Sequence, residues 1–267
     1  MTDNRNEPVC VLLTDFPLTD PYVGVMKGVI LSRVRGAHLV DLAHGLPPGN
    51  IAWGALLLQE QTRFFPERSV VLAVIDPGVG TDRPILAARS GGYRFVAPDN
   101  GLLHPVLQGL AGPGEPEVVH VKPAGVRLPG GCETFHGRDI MAPVAARLLA
   151  GEPLSALGGP ASTWTPLTLP EAERVGDTWV GEVISADGYG NLITSLKTEA
   201  LRGADWRVFL EGVEIGPIRP TFGAVSPGEV TAVFGSLNRV EVTVRDGSAA
   251  ERFAAGPGNR VEARRPS

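Results

Sequence analysis

Cysteine is scarce: the chain of 267 residues holds two, Cys10 and Cys132, neither with Cys or His companions at zinc-finger spacing. Two thiols build no disulfide framework, so both are expected as buried thiols in a reducing cytoplasm. Blocks of like charge are missing; Lys plus Arg number 24 and Asp plus Glu 29, a net charge of −5. That balance argues against general nucleic-acid binding by phosphate neutralisation. No apolar run reaches the roughly 18 residues of a membrane span, and the polar opening MTDNRNEP has no signal-peptide core behind it. Neither membrane insertion nor secretion is expected. There is no G-x-G-x-x-G, Walker A, G-x-S-x-G or H-E-x-x-H motif. Nicotinamide redox chemistry, P-loop hydrolysis and esterase chemistry are thereby demoted.

What is present is a globular composition, 43% hydrophobic and 20% charged, with 34 Gly and 24 Pro scattered in short clusters that read as tight loops. The first half alternates apolar runs with helical patterns: Val9 to Leu13, Tyr22 to Val34, His38 to Leu42, Ile51 to Phe65 and Ser69 to Ile75. That βαβαβ rhythm predicts a parallel sheet wrapped by helices. Further strands are expected at Ile85 to Ala88, Tyr93 to Val96 and Val118 to Val121, then a helix over about Asp139 to Leu149. From Val180 onward short β-branched runs separated by Gly, Pro, Asn or Asp predict an antiparallel sheet or small barrel. The expected division is an α/β domain over 1–160, a linker over 161–177 and a β domain over 178–267.

Ligands of a parallel sheet collect beyond the carboxyl ends of its strands. Three loops bring polar residues there: Thr14-Asp15-Phe16 with Asp20, Asp76-Pro77-Gly78-Val79-Gly80 with Arg83, and Thr134-Phe135-His136-Gly137-Arg138-Asp139. Each has a plain structural reading as well. Asp20 suits the cap of a helix entered through Pro21, Asp139 suits a helix start, and Asp76 to Gly80 suits a turn. Among the histidines, His38, His44, His104 and His120 read as structural, whereas His136 stands near an exposed helix entrance where a general base would work. Asp15, Asp76, Asp99, His136 and Asp139 would also furnish a metal-dependent phosphoesterase.

Six segments in order along almost the whole chain carry a resemblance. They are L-T-D-F with Y-V-G-V-M-K-G-V (Leu13 to Val29), I-D-P-G-V-G-T (Ile75 to Thr81), F-V-A-P-D-N-G-L-L (Phe95 to Leu103), T-F-H-G-R-D (Thr134 to Asp139) and D-G-Y-G-N (Asp187 to Asn191). The chain resembles the S-adenosyl-L-methionine (SAM) hydroxide adenosyltransferases, the SAM hydrolases related to the fluorinase and chlorinase halogenases. The resemblance implies a Rossmann-like N-terminal α/β domain and a C-terminal antiparallel β-barrel-like domain. It implies a cytoplasmic homotrimer with sites at subunit interfaces, SAM as substrate, and no metal or redox cofactor.

By the same resemblance Asp76, Arg83 and His136 hold and activate water, with either Asp76 or His136 as base. Asp15 is implied at the ribose hydroxyls, Asp20, Asp187 and Ser236 at the methionine end, and Asn191 and Phe222 at adenine. Phe135 joins the binding residues, and Glu241 and Val244 are weaker candidates. Halogenases carry Tyr at Asp76 and Ser at Gly137, and a carboxylate at Asp76 would repel a halide. The alternatives left standing are a halogenase, the metal-dependent phosphoesterase, and a non-catalytic SAM or adenosine binder. Gly49 replaces a halogenase tryptophan, Pro17 replaces a usual glycine, and Asn238-Arg239 departs from the last motif.

Overall fold

A computed structural model describes residues 7–112 and 116–266; the opening residues 1–6, expected to hold no targeting signal, lie outside the described residues. The chain forms two compact units that divide after Thr168. Among the described residues no helix is long and apolar enough to cross a membrane.

The first unit runs β1 (Val9–Thr14), α1 (Tyr22–Leu31), β2 (His38–Ala43), α2 (Ile51–Gln61), β3 (Val70–Val74), β4 (Ile85–Ser90), β5 (Tyr93–Pro98), α3 (His104–Leu110), β6 (Glu117–Val121), α4 (Ala142–Leu149) and β7 (Gly158–Pro160). Its sheet has the order β2-β1-β3-β5-β4-β6-β7. The strands β2, β1, β3 and β5 are parallel, as the rhythm predicts, but β4, β6 and β7 pair antiparallel. The reason for the reversal is local. Ser90 pairs with Tyr93 across Gly91 and Gly92, both at positive φ, which is the two-residue turn that closes a hairpin. The continuous apolar runs of β1 and β3 are buried on both faces, as interior strands of a covered sheet must be. Leu12, Leu72 and Val96 from the sheet meet Met26 and Ile30 of α1 and Val144 and Leu148 of α4 in one core.

Ahead of α4 the chain makes a π-helical turn over Gly137–Met141, in which the Ala142 N–H donates to the Gly137 carbonyl. The helix expected from Asp139 therefore begins earlier and wider. The segment after β7 is fastened to this unit: the Thr165 N–H donates to Asp99 Oδ1 at 2.7 Å, and His104 Nδ1 meets the Leu167 carbonyl at 3.0 Å.

The second unit comprises β8 (Glu173–Val175), β9 (Thr178–Ala186), β10 (Leu192–Lys197), α5 (Thr198–Leu201), β11 (Arg207–Leu210), β12 (Val213–Arg219), β13 (Val230–Phe234), β14 (Arg239–Val244), α6 (Ala249–Phe253) and β15 (Arg260–Arg264). Its order is β10-β14-β13-β12-β11-β15-β9-β8, and a further β10–β9 pairing closes a seven-stranded barrel with β8 on its rim. One pairing, β12 with β13, is parallel. Val183, Leu192, Val208, Val240, Val242 and Val261 fill the interior.

Candidate active site

Asp15 follows the last residue of β1, and its Oδ2 accepts the Gly49 N–H at 2.9 Å. Gly49 has φ +71°, a conformation that suits glycine, so the backbone donor is presented without a side chain in the way. Behind Asp15, Thr14 Oγ1 lies 2.7 Å from Nδ1 of buried His44, whose Nε2 is 3.0 Å from Asp41 Oδ1. His44 thus anchors the loop.

Asp76 and Arg83 flank the turn that follows β3. Arg83 Nε donates to Asp76 Oδ1 at 2.6 Å and Nη2 donates to Oδ2, a bidentate fork, while both side chains are almost wholly buried. Nη2 of Arg83 also meets His136 Nδ1 at 3.0 Å. Gly80, at φ +79°, lets this turn approach the next loop: a Cβ there would stand 3.1 Å from the Glu133 carbonyl oxygen. Three sequence-distant side chains are thereby joined in one hydrogen-bonded chain. His136, expected near an exposed helix entrance, is 7% exposed. Its Nε2 is 3.2 Å from Glu133 Oε2 and 3.4 Å from Arg127 Nη2.

Asp15, Asp76, Phe135 and His136 line one cavity of about 670 Å³, together with Gly49 and Gly137. Phe16, Tyr22 and Phe135 form an aromatic wall with ring centroids 5.2 to 5.8 Å apart, and the Arg138 guanidinium lies 5.2 Å from the Phe135 ring. Cys132 also lines this cavity and is exposed, against the expectation of a buried thiol. The Thr134 hydroxyl and backbone hold its thiol below the ordinary value. Arg127, Glu133 and Cys132 belong to an irregular stretch before the π turn, where no periodicity singles them out.

Asp20 is exposed, outside the cavity lining, and does not cap α1, whose N-cap position is Pro21 with no side-chain bond. Asp139 is not a helix cap either. It sits inside the π turn, accepting from Arg138 and from the Cys132 N–H at 2.8 Å, and Arg138 first of all holds its carboxyl below the usual range. Asp99 is spent on Thr165. Among the described residues no three His, Cys, Asp or Glu side chains gather as a metal site requires.

In the second unit Asn191, Phe222 and Val244 line a separate cavity of about 570 Å³ with Tyr189 and Arg245. Asp187 organises the turn between β9 and β10: its Oδ1 accepts the Tyr189 and Asn191 N–H groups and its Oδ2 accepts Asn191 Nδ2, each at 2.9 Å. Ser236 is exposed. Glu241 is buried, and burial first, then Asp187, pushes its carboxyl up to about 7.

A sequence profile of the SAM hydroxide adenosyltransferase N-terminal domain matches residues 10–158, and the profile of its C-terminal domain matches residues 181–262. A protein of Thermus thermophilus named (R)-S-adenosyl-L-methionine hydrolase is 43% identical over 252 residues, covering 90% of this chain and 92% of that one. A protein named Fluorinase, from Actinopolyspora mzabensis, is 29% identical over 267 residues, covering 86% and 87%. A crystal structure of an uncharacterized conserved protein from Thermotoga maritima superposes with a TM-score of 0.86 at 30% identity, over 96% of this chain and all of the other.

Proposed function

Because the chain belongs to the SAM hydroxide adenosyltransferase family, we propose that it hydrolyses SAM to adenosine and L-methionine through Asp76, Arg83 and His136. The observation that carries the assignment of residues is their hydrogen-bonded chain, in which Arg83 joins Asp76 and His136 behind the wall that those two form in the 670 Å³ cavity.

The water oxygen attacks C5′, the C5′–S bond breaks, and sulfur keeps the electron pair, so the sulfonium leaves as a neutral thioether. No general acid is needed. What the protein must supply is alignment with the breaking bond and a place for the proton. Arg83 is a permanent donor, so the His136 nitrogen facing it accepts, and that lone pair is engaged. Asp76 lines the cavity and retains free lone pairs beyond the two bonds from Arg83. Asp76 is therefore the acceptor of the water's proton, Arg83 fixes the carboxylate, and His136 fixes Arg83. The sulfonium cation and the Asp76 carboxylate lose their charges together along the path, which an aromatic wall of low polarity favours.

Asp15 keeps one oxygen for the ribose diol while Gly49 holds the other. Phe135 packs against the substrate in the first cavity; Asn191 and Phe222 of a neighbouring subunit meet adenine, and Val244 lines the same cavity as those two. Asp20, Asp187 and Ser236 serve the methionine end. The working enzyme is a cytoplasmic homotrimer with sites at subunit interfaces, and a single-chain mass in solution would defeat that part.

The halogenase reading meets two obstacles. A carboxylate at Asp76 repels a halide, and Gly137 offers no hydroxyl donor, in a place where a Cβ would stand a tight 3.2 Å from Phe135 Cε2 and 3.3 Å from Met26 Sδ. The test incubates the protein with SAM and a chelator, with and without chloride, and separates adenosine from 5′-chloro-adenosine by chromatography with mass detection. Adenosine with methionine is the expected outcome. Chlorinated product would move the assignment to the halogenases, loss with chelator to a metallohydrolase, and binding without turnover to a sensor.

A further inference from the structure

We infer that Glu133 is a positioning residue for this hydrolysis: it selects the tautomer of His136 and thereby which of two arginines the imidazole serves. The inference rests on the proposed roles of Asp76, Arg83 and His136. His136 lies between two guanidinium groups, Arg83 Nη2 at 3.0 Å from Nδ1 and Arg127 Nη2 at 3.4 Å from Nε2. Both are donors at every working pH, and a neutral imidazole has one lone pair to offer. The imidazole accepts from only one of them at a time. Glu133 breaks the tie, because its Oε2 is 3.2 Å from Nε2 and a carboxylate can only accept. The proton is drawn to Nε2, and the lone pair stays on Nδ1 toward Arg83.

The same carboxylate restrains the competitor. Its Oε1 takes Arg127 Nη1 at 2.7 Å, and Arg127 Nη2 donates to the Cys132 carbonyl at 3.3 Å. Arg127 first, then His136, holds Glu133 down at about 2, so it is ionised wherever the enzyme works. The other charges nearby are committed elsewhere: Asp76 to Arg83, and Arg138 to Asp139. Glu133 does not line the cavity and is largely exposed, so it acts through His136 and not on substrate.

Removing Glu133 frees Arg127 to donate into Nε2. The imidazole proton then moves to Nδ1, where it faces Arg83 donor to donor, and the clamp on Asp76 loosens. The experiment uses full-length protein with ¹⁵N-labelled histidine and reads the His136 tautomer from long-range ¹H–¹⁵N correlations, beside kcat and KM for SAM. Wild type is expected with the proton on Nε2. E133A is expected with it on Nδ1, with kcat lowered about tenfold or more at nearly unchanged KM. E133Q, which keeps an acceptor but not the charge, should fall between. R127A/E133A, which removes the competitor too, should return the proton to Nε2 and regain most of the lost kcat. An Nδ1–H tautomer in wild type, an E133A protein with wild-type tautomer and kcat, or no recovery in the double variant would each overturn the inference. A wild-type protein that fails to cleave SAM would instead sink the functional reading, since the tautomer is read without turnover.

Discussion

Arginine is required at position 83 for its shape. Its fork engages both oxygens of Asp76 and still reaches His136 through one Nη2, three acceptors that the point charge of a lysine cannot serve together. R83K is therefore expected to lose most of the turnover, and D76N about 10²- to 10⁴-fold, the usual range for losing a proton acceptor. SAM affinity measured by calorimetry should change little in either. Retained turnover in both variants would remove the assignment. Gly137 makes the complementary case, being intolerant of addition. Its missing Cβ is where Phe135, Met26 and Val74 close in at 3.2 to 3.4 Å, so G137S should cost about 1–3 kcal/mol in a urea melt and yield no halogenated product. Stability unchanged by the substitution would contradict this packing.

The π turn is the element on which the first cavity depends, because its extra residue per turn displaces the chain between His136 and α4. Asp139 holds that turn to the preceding loop through the Cys132 N–H while neutralised by Arg138. D139N leaves a buried site with a charged neighbour unpaired and should destabilise by about 1–3 kcal/mol at pH 7. Since the folded carboxyl is held below its usual range, its contribution is present above the unfolded value and is lost as pH falls through the folded one. The wild-type advantage over D139N should thus shrink as the pH is lowered beneath the ordinary aspartate range, which denaturant melts across an acid series would show. Such a turn is invisible to periodicity, which gives only a helix near Asp139. Other elements escape for equally local reasons. β12 reads V-E-I-G-P-I-R, with Gly216 at φ +113° and a proline, and looks like a turn. β15 reads R-V-E-A-R and looks like a solvated face until Arg260 and Arg264 are seen on Glu262. The antiparallel β4–β5 pair is legible in Gly91-Gly92, a two-residue hairpin signal between the two runs.

At the scale of the molecule, the loops at the ends of elements are the legible part of the site: Asp15 and Asp76 follow strand runs, His136 precedes the helical run into α4, and all three reach one cavity. The Arg127–Glu133 pair is not, because it lies in irregular chain whose partners only the fold supplies. A second hidden feature concerns the stability of the whole chain. Glu241 lies buried on β14, and a Cβ on Gly235 would fall 1.8 Å from its Oε1, so the carboxylate occupies the space that glycine vacates. Burial and Asp187 raise its carboxyl to about 7 from an ordinary 4.5. For an acid raised in the folded state, the native protein binds the proton more tightly than the unfolded chain does. Stability therefore falls as pH rises from the unfolded value toward the folded one, and the loss is complete above about 7. E241Q has no such titration. Between pH 5 and pH 8 the wild type should lose up to about 3 kcal/mol relative to E241Q. Urea melts of both proteins at constant ionic strength measure the difference directly. Parallel curves would mean that Glu241 keeps an ordinary carboxyl in the folded chain, and a wild type that gains on E241Q at pH 8 would require a cation held against it.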